Sequence, residues 1–409
     1  MSASHRPQLR PYLGVARVDP REFAGRPFVL HDRLRLSPEP LPLHLVEIET
    51  LRLFDGTRTL LDVQMEVIRR LGGQIVPLEL FSSLADRLDR YLYLESPRYQ
   101  EAIGARVRPP SCLGVYSPDP REFREQMAHL FEHPQGAGRP GKPGSDSRVR
   151  AVLAPHIDYH RGGLAYTYAF KELFESTPAS LFVIIGTSHY CGWRRFTLSR
   201  RDFQTPLGIV PTDQAYIDRL VHEYGGDLFE DEPIAHLPEH SIELEVLFLH
   251  YLYDRRRDIR IVPLVVGSFE DCVRTGTSPL AHEEVQRMIQ ALRVTEKATP
   301  EPVCYVISGD LAHIGPKFGA SYPLDEPQLK HSRAQDERLL HALSQVDHHQ
   351  YFQTICEEED ERNICGLPPT WITLEVIQAQ AAKMLRYDQY VEEGRGIESV
   401  SFASAAFYR

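Results

Sequence analysis

The 409-residue chain carries a net charge of −11 at pH 7, so no basic excess is available to neutralise phosphates and we predict no nucleic-acid binding. No apolar stretch approaches the length of a membrane span, and the N-terminus lacks the apolar core of a signal peptide, so we expect a cytoplasmic protein without membrane contact. The six cysteines include no C-x-x-C pair, which argues against a zinc knuckle or a disulfide framework.

The first 104 residues predict a small, mainly helical domain that begins with short strands around "PFVLHDRLRLSPEP". Apolar residues recur at helical spacing in the three segments that follow, "LPLHLVEIETLRLF", "LLDVQMEVIRRLG" and "PLELFSSLADRLDRYLYL". Over roughly residues 25–97 this pattern resembles the PqqD-like, winged-helix-like domains that bind peptides in radical-enzyme modification systems. The resemblance implies a peptide-binding role, and the alternative is a helical accessory domain without that role.

Residues 105–147 are predicted to form a linker between two domains, since the chain is longer than a usual single core. The segment leads through one predicted helix into "HPQGAGRPGKPGSDSRVR". This stretch is rich in Gly, Pro and Ser, a composition that does not favour regular structure.

Residues 148–409 predict an α/β domain. Four continuous apolar runs occur in this part of the chain, "RVRAVLAPH", "SLFVIIGTSH", "IRIVPLVVGS" and "PVCYVISGD". They alternate with helical patterns such as "GGLAYTYAFKELFE", "TDQAYIDRLVHEYG" and "SIELEVLFLHYLY". Buried strands that alternate with helices indicate a mostly parallel sheet covered by helices on both faces, and "ESVSFASAAFYR" predicts one further strand.

Polar side chains follow three of the four predicted strands. These groups are His156 with Asp158, then His189, then Asp310 followed by His313. In "PHIDYH" an extended chain would also place His160 on the same face as His156, because alternate residues of a strand share a face. Ligands bind outside the carboxyl ends of strands in open α/β sheets, so we expect these groups to converge.

The segment "PEHSIELE" adds Glu239 and His240 at the start of a predicted helix, where free backbone N–H groups favour anions. Two histidines and one carboxylate with open positions suit non-haem Fe(II). Each histidine taken alone has a simpler interpretation as a hydrogen-bonded turn or cap residue, and the set of strand ends is what favours a metal site.

Five motifs carry a more specific resemblance, "APHIDYHRGGLAYTYAFKEL", "FVIIGTSHY", "PEHSIELEVLFL", "IVPLVVGSF" and "VISGDLAHIGPKFG". In this order they resemble the MEMO family, known in prokaryotes as AmmeMemoRadiSam system protein B, over roughly residues 148–409. That family is similar in fold to the class III extradiol dioxygenases, whose iron is bound by two His and a Glu beside a catalytic His. The resemblance implies that His156 and His189 are metal ligands and that His240 is the catalytic histidine.

The sequence departs from the family at two places. Eukaryotic members carry a cysteine ligand where this chain has Ala312, which cannot coordinate a metal, so Asp310, His313 and Asp158 are the candidates for the third ligand and Asp310 is favoured. The first motif also brings in Arg161, which either clamps a carboxylate or phosphate or forms a salt bridge with Asp158.

Two classes of function follow from these features. In the first, His156, His189 and Asp310 hold Fe(II) in a dioxygenase-like oxidoreductase, His240 transfers protons, and Glu243 orients its ring. A zinc or manganese hydrolase with the same ligands is a close alternative. In the second, the chain is a non-catalytic module that binds a peptide or the radical SAM and AMMECR1-like partners that the resemblance implies.

Overall fold

The structure, a computed structural model, describes residues 1–37, 39–145, 148–191, 193–392, 394 and 396–409. These residues form two compact units, Met1–Arg106 and Val107–Arg409. No helix in the described part of the chain is long and apolar enough to cross a membrane.

The smaller unit combines a three-stranded antiparallel sheet with four helices. Its elements are β1 (Leu13–Arg17), β2 (Phe28–Asp32), β3 (Leu41–Leu43), α1 (Leu45–Leu51), α2 (Leu60–Arg70), α3 (Leu78–Arg90) and α4 (Pro97–Ile103). The sequence therefore predicted α1, α2 and α3 but not α4, and it extended the first of them too far at both ends. Leu41–Leu43 pairs with β2 instead, because an apolar–Pro–apolar triplet suits an edge strand better than a helix interior. Pro38 of the predicted strand segment lies outside the described residues.

The start of α2 shows how sequence sets local structure in this unit. Thr59 accepts a hydrogen bond from the backbone N–H of Asp62, and the Asp62 carboxylate accepts one from the backbone N–H of Thr59. This reciprocal capping box satisfies two donors that the first turn of a helix leaves unpaired. The buried face of α2, with Leu60, Val63 and Val67, then packs into the core of this unit.

The larger unit is a mixed α/β structure. Its strands are β4 (Val107–Arg108), β5 (Val149–Ala154), β6 (Leu181–Thr187), β7 (Phe196–Leu198), β8 (Asp202–Thr205), β9 (Gly208–Val210), β10 (Arg260–Val266), β11 (Val303–Ser308), β12 (His313–Ile314), β13 (Ala381–Val391) and β14 (Ser399–Tyr408). Its helices are α5 (Pro120–Glu132), α6 (Tyr159–Ser176), α7 (Gln214–Tyr224), α8 (Glu232–His236), α9 (His240–Tyr253), α10 (Glu270–Thr275), α11 (Glu283–Lys297), α12 (Glu326–Ser344), α13 (His348–Glu357) and α14 (Leu367–Ile377).

The four predicted strands form the parallel centre of the main sheet, in the order β5-β11-β6-β10. The C-terminal strand β14 is confirmed and pairs antiparallel with β5, while β7 pairs antiparallel with β10 at the other side. The strands β12 and β13, which pair with β14, were not predicted. The sheet is therefore mixed at its edges and parallel where the predicted site lies.

Helices cover both faces of this sheet, as predicted. Alternate strand residues such as Val183 and Ile185 belong to one large core cluster with α7, α11 and α14. The helices α6 and α9 contact each other and the same strands, but their buried residues are not part of that cluster. Since alternate side chains of a strand point to opposite faces, α6 and α9 cover the other face.

The predicted linker over 105–147 is wrong for most of its length. Val107–Arg108 forms β4, which pairs parallel with β8, and α5 buries Phe123, Met127 and Phe131. Asp119 caps α5 by accepting hydrogen bonds from two backbone N–H groups. Pro120 lies in the first turn, where its missing N–H removes no hydrogen bond from the helix. The structure therefore assigns this segment to the larger unit. Asp146 and Ser147 lie outside the described residues.

Candidate metal centre

Three histidines converge at the carboxyl edge of the parallel strands. His156 follows the end of β5, His189 follows the end of β6, and His240 is the first residue of α9. The ring centroids lie 4.9 Å apart for His156 and His189, 5.2 Å for His156 and His240, and 4.5 Å for His189 and His240. One ring nitrogen of each histidine lies within 4.8 Å of the others, so the three form one potential ligand group.

Hydrogen bonds assign the tautomer of His156. The Ser308 hydroxyl donates to the backbone carbonyl of Ser241 over 2.5 Å, so its oxygen is left to accept a hydrogen bond from His156 Nδ1 over 3.2 Å. His156 Nε2 then carries a lone pair, which is the form that binds metals. Burial, together with the neighbouring His189, lowers the pKa of His156 well below its usual value, so the ring is neutral.

Glu239, the N-cap of α9, holds the other two histidines. Its carboxylate accepts hydrogen bonds from His189 Nδ1 and from the backbone N–H of His189, both over 2.8 Å, and from the backbone N–H of Ser241 over 3.0 Å. The same carboxylate lies 3.3 Å from His240 Nδ1. A carboxylate that fixes the Nδ1 side of a histidine leaves Nε2 for a metal and raises the basicity of the ring.

The pKa values of these groups follow from that contact. Burial opposes the charge of Glu239, but His189, His240 and the backbone donors outweigh it and hold the pKa of Glu239 well below its usual range. Burial also lowers the pKa of His189, and Glu239 reverses this, so the pKa of His189 is raised overall. For His240, burial and the neighbouring His189 outweigh the contribution of Glu239 and lower the pKa to about 3.

A second ligand group shares His156 and contains Asp310 and Cys365. Asp310 Oδ1 accepts the backbone N–H of His156 over 3.0 Å, and its Oδ2 lies 3.7 Å from His156 Nε2. Cys365 Sγ lies 3.1 Å from the same nitrogen. The predicted set of His156, His189 and Asp310 is thus divided between two groups in the described residues, with His156 common to both.

His313 lies beside Asp310 and opens toward solvent. Its Nδ1 lies 3.1 Å from the carbonyl oxygens of Leu311 and Asn363, which only accept, so Nδ1 carries the proton. His313 Nε2 lies 4.0 Å from Asp310 Oδ2. The same histidine lines a cavity of about 870 Å³, and this cavity therefore reaches the Asp310 side of the site.

Glu243 does not orient His240, contrary to the prediction. Its buried carboxylate forms an ion pair with Arg108 Nη1 at 2.6 Å and accepts hydrogen bonds from Tyr116 and from the Ser111 hydroxyl. Spacing of three residues on a helix suggested a contact with His240. The partners come instead from β4 and the segment that follows it, and Glu239 rather than Glu243 contacts the histidine rings.

The charged residues of the first motif are paired with each other. Arg161 Nη2 donates to Asp158 over 2.6 Å, and Arg161 Nη1 lies 3.5 Å from Glu398, so the salt-bridge interpretation of Arg161 matches the structure. His160 is exposed, because α6 begins at Tyr159 and the chain does not continue as a strand after Ala154. Neither Asp158 nor Arg161 belongs to the two ligand groups.

Sequence patterns assign no role to two residues of the site. Ser308 belongs to the polar group that ends a predicted strand, and Cys365 is one of six cysteines without a C-x-x-C spacing. The sequence indicates the position of Cys365 only through "NICGLPP", in which Gly366 and two prolines predict the start of a helix, α14. A residue just before a helix that starts at the carboxyl ends of the strands can contact a histidine there, as Cys365 contacts His156.

The fold and these groups define an α/β protein with a histidine-rich candidate metal centre at the carboxyl edge of its parallel strands. Residues 108–406 match the sequence model of the family described as Memo-like protein, and the chain belongs to this family. The resemblance predicted from the motifs is confirmed at this level.

Curated relatives agree with this assignment. The chain is 24% identical to a MEMO1 family protein of Aquifex aeolicus over 94% of this chain and 96% of the relative. It is 27% identical to one of Methanothermobacter thermautotrophicus (69% and 92%) and 28% identical to one of Thermus thermophilus (70% and 81%). Because residues 107–409 make up only about three quarters of the chain, the Aquifex match also includes most of the smaller unit.

Proposed function

We propose that this Memo-like protein is a metal-dependent enzyme in which His156 and His189 bind one divalent metal ion. The observation that carries the proposal is the pair of hydrogen bonds on the Nδ1 atoms, from His156 to Ser308 and from His189 to Glu239. Both bonds leave Nε2 free, and such partners are typical of metal-ligating histidines. The donor set thus fits a divalent ion.

Asp310 is our proposed third ligand. Its Oδ1 is occupied by the backbone of His156, and its Oδ2 lies 3.7 Å from His156 Nε2, a separation that two ligands of one ion can have. Burial raises the pKa of Asp310, and a bound cation would favour its ionised form.

His240 is our proposed proton carrier. Its ring is neutral at physiological pH, with a pKa of about 3 in the metal-free protein, so the proposed role rests on its position beside Glu239 and on its exposure rather than on its basicity. Once protonated, the ring is stabilised by the Glu239 carboxylate, 3.3 Å from Nδ1. The side chain is 29% exposed, so a substrate can reach it.

We propose Fe(II) as the resident ion and a dioxygenase-like oxidation as the reaction class. When bound, Fe(II) supplies an open position for O2 and one-electron chemistry, whereas Zn(II), or Mn(II) acting as a Lewis acid, in the same ligands supports hydrolysis. Support comes from the mixed imidazole and carboxylate donors, with His156 and His189 in one group and His156 and Asp310 in the other.

Metal analysis tests this proposal. Protein purified without chelators and reconstituted anaerobically with Fe(II), Zn(II) or Mn(II) should retain about one ion per chain. The variant His189→Ala should lose the ion, and His240→Ala should keep it. His341→Ala, an exposed histidine on α12, is the matched control. Protein that retains no ion under all three conditions would rule out the enzyme and favour the binding module.

A second proposal concerns the smaller unit. Among the described residues, eight of the twelve exposed large apolar side chains lie in residues 1–106, and these are Val15, Leu45, Val46, Leu61, Met65, Leu71, Ile75 and Leu80. Exposed apolar groups concentrated in one unit favour a surface for a partner. We propose that it binds a peptide, or a radical SAM or AMMECR1-like protein, in the cytoplasm.

Retention of partners by the immobilised full chain tests this second proposal. A Met65→Asp and Ile75→Asp double variant changes side chains that are 64% and 85% exposed and should lose those partners. Ile209→Asp, which alters a 55% exposed residue of the larger unit, is the control. Equal retention of radical SAM, AMMECR1-like or peptide partners by both variants would contradict the proposal.

A further inference from the structure

We propose that Cys365 is a metal ligand of this centre and supplies its thiolate from the start of α14. The inference rests on the proposed metal site and extends it. The resemblance places the family's cysteine ligand at position 312, where this chain has alanine. The candidate sulfur donor in this chain is Cys365, which forms a group with His156 and Asp310.

Distances to His156 carry the inference. Two ligand atoms that bind one ion at about 2.0–2.3 Å each can lie no more than about 4.6 Å apart. Cys365 Sγ lies 3.1 Å from His156 Nε2, the nitrogen that the Ser308 hydrogen bond leaves unprotonated. Asp310 Oδ2 lies 3.7 Å from the same nitrogen, so the sulfur and the carboxylate are both within this limit of His156 Nε2. The three residues form one group of converging donors.

The main chain fixes Cys365 at this place. Thr187, the last residue of β6, donates its hydroxyl to the carbonyl of Cys365 over 2.6 Å, and the N–H of Gly366 donates to the carbonyl of Asp310 over 2.9 Å. The segment is therefore attached to the ends of two central strands. The same two strand ends lead to His189 and Asp310.

Two glycines allow this close approach. A Cβ added to Gly309 would lie 2.5 Å from the Cα of Gly366, and a Cβ added to Gly366 would lie 2.6 Å from the carbonyl oxygen of Asp310. Separations this short require the backbone to move. Any side chain at either position would push Cys365 away from the strand end, so the thiol position depends on both glycines.

Thiolate ligation gives a spectroscopic signature that imidazole and carboxylate lack. We therefore expect that Co(II) bound to the full-length protein shows a near-ultraviolet charge-transfer band from sulfur to metal. The variant Cys365→Ser should lose this band and bind Co(II) about tenfold or more weakly. Cys356→Ser, which alters a partly exposed cysteine at the end of α13, should retain the band and the affinity.

Alkylation of the wild-type protein provides a test that needs no variant. Cys365 lines a cavity of about 410 Å³ beside Thr187 and Ser188, so a small alkylating reagent can reach it. Bound Zn(II) should slow labelling of Cys365, read by peptide mass spectrometry, by about tenfold or more because a ligating thiolate is blocked. Labelling of Cys356 should not change.

The outcomes separate this inference from the proposed function. Stoichiometric Co(II) binding without the charge-transfer band, together with unchanged labelling of Cys365, would overturn the cysteine ligand and leave the histidine site intact. Absence of metal binding in the wild-type protein would overturn both. Should Cys365→Ser lower the thermal midpoint of the metal-free protein, the labelling result in the wild type decides.

Discussion

The two sides of the candidate centre are built in different ways. On the histidine side, side chains do the positioning: Ser308 holds His156, and Glu239 holds His189. On the side of Asp310 and Cys365, main-chain hydrogen bonds and a close contact between two glycines do it. An imidazole must be rotated and protonated correctly, which requires a hydrogen-bond partner on its second ring nitrogen, here a side chain, whereas a carboxylate or thiol needs only to be brought near.

The largest effect is expected at the residue that both sides share. His156→Ala removes the one ligand common to the two groups, so metal binding should be abolished rather than weakened. Calorimetric titration with Zn(II) and elemental analysis measure this. His160→Ala, an exposed histidine in the same motif, should bind metal as the wild type does. Residual stoichiometric binding by His156→Ala would mean that the two groups do not form one centre.

Two glutamates at the start of α9, the N-cap Glu239 and the first-turn Glu243, allow a direct comparison. Glu239→Gln should weaken metal affinity by about 10–100-fold, because His189 loses its carboxylate partner. Glu243→Gln should leave affinity unchanged but lower the free energy of unfolding by about 3 kcal/mol, because Arg108 stays buried without its charge partner. Metal titration and urea unfolding of each variant measure both quantities. Weaker metal binding by Glu243→Gln with unchanged binding by Glu239→Gln would instead assign Glu243 to the metal site.

On the cysteine side, the corresponding substitution alters the close backbone contact between Gly309 and Gly366. Gly309→Ala introduces a Cβ that would meet Gly366 at 2.5 Å, and we expect a loss of about 1–3 kcal/mol in unfolding free energy together with a weaker sulfur-to-Co(II) band. Gly225→Ala, at the left-handed C-cap of α7, costs about 1 kcal/mol from its backbone alone and should leave the band unchanged. A full band in Gly309→Ala would show that Cys365 does not depend on this contact.

The smallest effect is a pH dependence in the loop before Cys365. Burial raises the pKa of Asp360 to about 6, although its carboxylate accepts the backbone N–H of Ile364 over 2.7 Å. Because the folded pKa lies above the unfolded one, ionised Asp360 destabilises the fold above pH 6, and the penalty disappears as the pH falls toward 4. From pH 7 to pH 5 this group should add about 1 kcal/mol to the unfolding free energy.

Asp360→Asn tests that dependence. Asparagine also tolerates the left-handed backbone of this position, where φ is 53°, so the substitution adds no strain. The variant should be more stable than the wild type at pH 7, and the difference should shrink by about 1 kcal/mol at pH 5. Urea unfolding at the two pH values measures it, and parallel pH profiles would contradict the raised pKa.

Sequence patterns identified the parallel strands because each is a continuous apolar run. They missed β13, whose "AAKMLRYDQYV" has no clear apolar face; among the described residues this strand pairs with β14 and with no other strand, and none of its side chains is fully buried. They also missed α5 as part of the larger unit, because the Gly- and Pro-rich stretch after it dominated the composition. In the site, periodicity indicated which strand ends carry histidine, but not which side chains hold those histidines.

Local hydrophobic pattern and strand polarity suffice to predict β5, β6, β10 and β11, the helices between them and the histidines at the strand ends. The packing of separate elements sets the strand order, brings Glu239 rather than Glu243 against the histidines, and places Cys365 3.1 Å from a histidine 209 positions away along the chain. Such contacts depend on how separate elements pack, and no local pattern encodes the distance between two strand ends and a distant helix start.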